Sequence, residues 1–126
     1  MSELKKIMHV DDDEDILEIA KMALEMVDGF ELHQFNSGAA ALDAFETVAP
    51  QLMLLDVMMP GMTGPELSRN VRERHAALNT PFIFMTAKAE QSVCQELYAA
   101  GALEVITKPF DPMSLGSQIR DAWSKR

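Results

Sequence analysis

The sequence predicts an α/β domain: a doubly wound, five-stranded parallel sheet with five helices on its two faces. Three observations carry this expectation. Short apolar runs alternate with longer amphipathic runs along the 126 residues, the pattern of strands joined by crossover helices. The run Leu52-Met53-Leu54-Leu55 shows no polar alternation, as in a strand covered on both faces. Glycine and proline fall at turn-like places, and no repeat, low-complexity tract or linker divides the chain. The length fits one compact domain, read here as 1–126.

Strands are expected at 7–10, 30–33, 52–57, 82–85 and 104–107. The second, Phe30-Glu31-Leu32-His33, alternates apolar and polar, so one face meets water and the strand belongs at an edge. With right-handed crossovers, that edge strand selects the flavodoxin-like order 2-1-3-4-5. Ile16, Ala20, Ala23 and Val27 form the inward stripe of the first helix. Further helices are expected at about 38–48, 65–75, 90–100 and 112–124. The fourth turns Val93, Leu97 and Ala100 inward and stops at Gly101. The last opens with Asp111-Pro112, an N-cap acid and a first-turn proline, and turns Leu115, Ile119 and Ala122 inward.

A formal net charge of −9 argues against direct binding of nucleic acid, whose phosphates it repels. It suits a cation or a basic partner surface. The single cysteine, Cys94, cannot pair within the chain, which fits a reducing cytoplasm. No apolar run approaches the roughly 20 residues needed to span a bilayer, and the N-terminus has no signal-peptide pattern. No membrane association is expected.

The chemistry collects at strand ends. The first strand ends in Asp11-Asp12-Asp13, the third in Asp56, the fourth in Thr86 and the fifth in Lys108. In open parallel sheets these carboxyl ends line the binding crevice, at the switch point between strands one and three. Each residue alone has an ordinary role: Asp13 reads as the cap of the first helix, Thr86 as a β-former, Lys108 as a surface charge. Their convergence on one edge is harder to explain that way. If Asp11, Asp12 and Asp56 share the crevice, two carboxylates about 4 Å apart repel by about 4 kcal/mol at an effective dielectric near 20. Lys108 offsets one charge, so −3 + 1 leaves −2. Either a carboxyl is protonated or a divalent cation binds. Oxygen-only ligands suit Mg²⁺, which completes its octahedron with water and phosphate oxygens. A carboxylate can also attack phosphorus, and Lys108 and Thr86 can hold phosphoryl oxygens.

Four motifs in this order resemble the receiver domains of two-component response regulators over essentially the whole chain: Val10-Asp11-Asp12-Asp13, Leu54-Leu55-Asp56-Val57-Met58-Met59-Pro60-Gly61, Phe84-Met85-Thr86-Ala87 and Thr107-Lys108-Pro109-Phe110. The resemblance implies a phospho-accepting switch. It gives Asp56 as the phosphorylation site, with Thr86 and Lys108 beside the phosphoryl group. Asp11, Asp12, Asp56 and the Met58 backbone carbonyl become the Mg²⁺ ligands. It implies a cis Lys108-Pro109 bond, a post-site loop shaped by Gly61 and Gly64, and a sensor histidine kinase or phosphotransfer protein as donor. The output partner is not named by the sequence. One position departs: the family's inward-rotating aromatic, three residues before the lysine, is Val105 here. Activation is therefore expected to move Ala87-Lys88-Ala89 and the start of the fourth helix, without a large rotamer change at Val105.

Two rivals use the same fold. A phosphatase of the haloacid-dehalogenase type usually has a second acid two residues after its nucleophile, where this chain has Met58; the domain is therefore not expected to be a turnover enzyme. A flavin carrier needs a phosphate-friendly loop after strand one, where Asp11-Asp12-Asp13-Glu14 repel phosphate. The chain reads as a stand-alone regulator acting by protein contact or as part of a larger regulator or hybrid kinase, with Met1 tilting toward the first. Of the remaining features, the ten methionines and Cys94 read as packing, His9 as a satisfied core histidine, and His33 and His75 as exposed. Trp123 packs at a helix edge or marks a partner surface.

Overall fold

A computed structural model describes residues 3–87 and 90–126. Strands β1 (Lys6–Val10), β2 (Glu31–Phe35), β3 (Leu52–Asp56), β4 (Phe82–Thr86) and β5 (Glu104–Thr107) form one sheet in the order β2-β1-β3-β4-β5. Every pairing is parallel; Val10 lies beside Leu55, Asp56 beside Met85 and Thr86 beside Thr107. The central strands β3 and β4 are buried throughout, as an unbroken apolar run requires. At the edge, β2 is exposed or half-buried throughout.

The helices are α1 (Glu14–Lys21), α2 (Gly38–Val48), α3 (Gly64–Arg74), α4 (Gln91–Ala99) and α5 (Leu115–Lys125). Strand alternation divides the core in two. Met8, Val10, Met53, Leu55 and Phe84 face α2, α3 and α4. Ile7, Leu52, Leu54, Ile83, Met85 and Ile106 face α1 and α5. Burying each such side chain contributes about 1.5–3 kcal/mol, and a one-residue register slip would reverse both faces.

Three expectations for the helices need correction. First, α1 continues as a π-helical segment, Met22–Val27. Ala23 and Leu24 stay inside, but the wider winding leaves Val27 50% exposed, so Val27 leaves the predicted stripe. Second, in α4 only Leu97 is buried and Ala100 is exposed. Third, α5 begins at Leu115 rather than 112. Asp111 caps the preceding turn, accepting from the Met113 amide at 3.0 Å, and the Asp111 carbonyl accepts from the Leu115 amide. His33 and His75 are half-buried: His33 pairs with Glu31 at 2.7 Å, and His75 stacks on Phe45 with ring centroids 4.8 Å apart. Among the described residues no helix is long and apolar enough to cross a membrane.

Candidate functional site

The carboxyl ends of β1, β3, β4 and β5 open into one acidic crevice. Oxygens of Asp11, Asp12 and Asp56 all lie within 4.8 Å of one another. Asp11 is fully buried, Asp56 is 7% exposed and Asp12 faces solvent. The Lys108 ammonium donates to Asp11 Oδ2 at 2.8 Å and to Asp56 Oδ1 at 2.8 Å. The structure thus brings together the three acids and the lysine predicted from sequence. Thr86, also buried, ends β4, and its carbonyl accepts from the Lys108 amide at 2.8 Å.

Local structure fixes each group. Asp11 Oδ1 accepts from the Asp13 amide at 2.9 Å, which turns the chain sharply after β1. Asp13 caps α1, accepting from the Asp15 and Ile16 amides, and so stays out of the acidic cluster, as its cap role predicts. Met58 follows β3 in the adjoining loop, its side chain 68% exposed. The Lys108-Pro109 peptide is cis. Of the 87–89 loop, Lys88 and Ala89 lie outside the described residues.

Sequence reasoning placed Gly64 in the loop without its reason. A Cβ there would sit 2.2 Å from the Asp56 backbone oxygen, so the chain passes the acid too closely for any side chain. The Gly64 amide donates to the Val57 carbonyl at 2.9 Å, closing the loop. Thr63 and Glu66 form a reciprocal capping box at the start of α3. That motif was legible as Thr-x-x-Glu before an apolar stripe, and it anchors the loop from its far end.

Electrostatics reflect the crowding. Burial pushes the Asp56 carboxyl up from its usual value; the Lys108 hydrogen bond opposes this, and the Asp11 and Asp12 charges add to it. For Lys108 burial pushes down, but the bonds to Asp11 and Asp56 prevail and its pKa is raised. With Lys108 counted, the cluster keeps a formal −2, the condition under which carboxylates hold a cation. His9, fully buried in β1, is driven down to about 3, by desolvation first and the Lys108 charge second. One ring nitrogen, Nδ1, lies 3.1 Å from Gln34 Nε2. Among the described residues His9 Nε2 has no hydrogen-bond partner, so this core histidine is only half satisfied.

Fold and crevice together define a doubly wound domain with a metal-competent acidic site at the carboxyl ends of its strands. The family model for the response regulator receiver domain matches residues 7–120, and the chain belongs to that family, the phospho-accepting switches of two-component systems. It is 37% identical to the transcriptional regulatory protein CseB of Streptomyces avermitilis over 95% of the chain and 49% of CseB. It is 35% identical to the phosphate regulon transcriptional regulatory protein PhoB of Pseudomonas aeruginosa over 92% of the chain and 50% of PhoB. The chain thus spans about half the length of these regulators. Among solved structures, chemotaxis protein CheY4 of Vibrio cholerae superposes with a TM-score of 0.86 at 28% identity, covering 95% of this chain and 99% of that one.

Proposed function

We propose that Asp56 accepts the phosphoryl group, from a sensor histidine kinase or a phosphotransfer protein, and that the modified crevice changes which protein the domain binds. The observation that carries this is the largely covered Lys108 ammonium bridging Asp11 and Asp56 at 2.8 Å each. It pins one Asp56 oxygen and leaves the carboxylate's other oxygen to attack phosphorus. The new P–O bond forms as the donor's P–N bond breaks, and the donor imidazole leaves with its electron pair and takes up a proton. Lys108 can then pair with a phosphoryl oxygen, and the Thr86 hydroxyl can donate to another.

Asp11, Asp12, Asp56 and the Met58 backbone carbonyl are the groups that would hold Mg²⁺. The donor set fits: it is all oxygen, it carries an uncompensated −2, and its acids lie within 4.8 Å. When bound, the ion supplies charge neutralisation at the phosphoryl oxygens. We read the domain as a cytoplasmic switch rather than a turnover enzyme, because Met58 stands where a phosphatase of similar chemistry places its second acid. The test is intact mass after incubation with acetyl phosphate and Mg²⁺. Wild type should gain about 80 Da, the mass of one phosphoryl group, and Asp56→Asn should gain nothing. A stable adduct on the variant would refute the assignment.

A further inference from the structure

A cavity lies away from the acidic crevice, at the opposite end of the same strands. It measures about 640 Å³, within the usual size range of small-molecule sites. Phe82, which opens β4, lines it, as does Leu103, just before β5. Its charge is the reverse of the chain's. Acids outnumber lysines and arginines 20 to 11 overall, yet its described lining holds Arg72 and Arg126 and no aspartate or glutamate.

Both guanidiniums are set against aromatic rings. Arg72 Cζ lies 5.2 Å from the Phe82 ring centroid, and Arg126 Cζ lies 3.6 Å from that of Trp123. Arg72 also donates to the Ala100 carbonyl at 3.4 Å, a long bond that engages one of its five N–H groups. Gly101 makes room for it: a Cβ there would sit 2.7 Å from Arg72 Nη2, and its φ of 103° disfavours a side chain in any case. The backbone around the rim is unusual too. Among the described residues, Ala49 and Asn79 are the non-glycine residues with positive φ, at 50° and 46°, and both line this cavity. Asparagine is a common left-handed cap, but alanine there costs about 1 kcal/mol or more.

We propose that this cavity binds a planar aromatic anion of nucleotide size, its negative group held by Arg72 and Arg126 and its ring packed beside Trp123. Arginine presents a planar fork that grips phosphate or carboxylate through paired N–H groups. Phe82 and Trp123 give the ring an apolar, stackable wall. An acidic domain repels bare anions from its surroundings, so the ring contact adds to what the two solvent-exposed guanidiniums supply. The site shares no residue with the acidic crevice, so it is independent of the phosphorylation reading.

Trp123 is the single tryptophan of the chain, which makes its fluorescence a local probe. In metal-free buffer, AMP should change that fluorescence saturably and bind about tenfold or more tightly than adenosine or inorganic phosphate, the difference one good charge-assisted contact makes. Amide shifts should centre on Asn79 and Gly101. Arg72→Gln and, separately, the exposed Arg126→Gln should each weaken AMP binding about tenfold, while both variants still take up phosphate at Asp56, which shows that they are folded. Phosphate binding as tightly as AMP overturns the ring's part, and adenosine binding as tightly overturns the anion's part. No saturable change, or shifts centred on Asp11 and Asp56, overturns the site.

Discussion

The Lys108 ammonium lies 2.8 Å from an Asp56 oxygen, and both side chains are largely withdrawn from water, 15% and 9% exposed. A second bond of equal length ties the same ammonium to the fully buried Asp11. One cation therefore restrains two acids that would otherwise repel each other across the sheet's switch point. Removing it leaves both carboxylates buried without their partner.

Lys108→Met should lower stability by about 3 kcal/mol in metal-free buffer, the usual cost of breaking a buried pair from one side. Added Mg²⁺ should recover part of that loss by binding the folded state. The raised Lys108 pKa sets the pH window. The contribution is fully present below the unfolded value of about 10.5 and disappears as pH rises through the higher folded value. Urea denaturation of both proteins, with and without Mg²⁺, provides the check. A difference under about 0.5 kcal/mol, typical of a surface pair, would contradict the burial argument.

Gly64→Ala should cost about 2 kcal/mol or more, because the new methyl meets the Asp56 carbonyl oxygen at 2.2 Å and backbone must move. It should also slow phosphoryl uptake, since the displaced atom belongs to the accepting residue itself. Denaturant titration and the rate of mass gain with acetyl phosphate measure the two effects. Wild-type stability and rate in the variant would show that the close approach has no consequence.

His9 gives the acid limb a predictable slope. Its folded pKa is depressed to about 3, so the unfolded chain takes the proton first as pH falls. Stability is intact above the unfolded value of about 6.5 and is lost progressively down to about 3, by about 3 kcal/mol at pH 4 from this group. His9→Leu should flatten that part of the pH–stability curve. Parallel curves for the two proteins between pH 6 and pH 4 would mean that His9 is not held neutral.

Activation should bypass Val105. That residue is half-buried on β5, and β-branching restricts its χ1. The hydroxyl of Tyr98 on α4 accepts from the Val105 amide at 3.2 Å and donates to Glu104 Oε1. This links α4 to β5 without an aromatic at position 105. With beryllium fluoride as the phosphoryl mimic, NMR should show changes at Ala87 and at the start of α4, with Val105 χ1 unchanged. Tyr98→Phe should cost up to about 1 kcal/mol and weaken the response in α4 relative to Ala87. A large Val105 χ1 change would identify a different route.

The sequence determined the strand order and the membership of the acidic crevice. Hydrophobic period reports how many faces of a strand are covered, and Leu52–Leu55 and Phe30–His33 differ in that respect. The crevice was legible because Asp11, Asp56, Thr86 and Lys108 each end an apolar run, and parallel strands deliver such ends to one edge. Tertiary structure decided the rest. A fixed helical period could not anticipate the π-helical winding of Met22–Val27, which leaves Val27 half exposed. The start of α5 depended on where Asp111 spends its carboxylate and carbonyl. Ala100 leaves the α4 stripe because that helix buries only Leu97, and the Tyr98 hydroxyl of the same helix ties it to the Val105 amide and Glu104 carboxylate of β5. The reason for Gly64, the missing partner of His9 Nε2 and the Arg72 seat beside Gly101 depend on distances of a few ångströms between segments far apart in the chain. Local pattern carries no record of such distances; they are set when both faces of the sheet are packed.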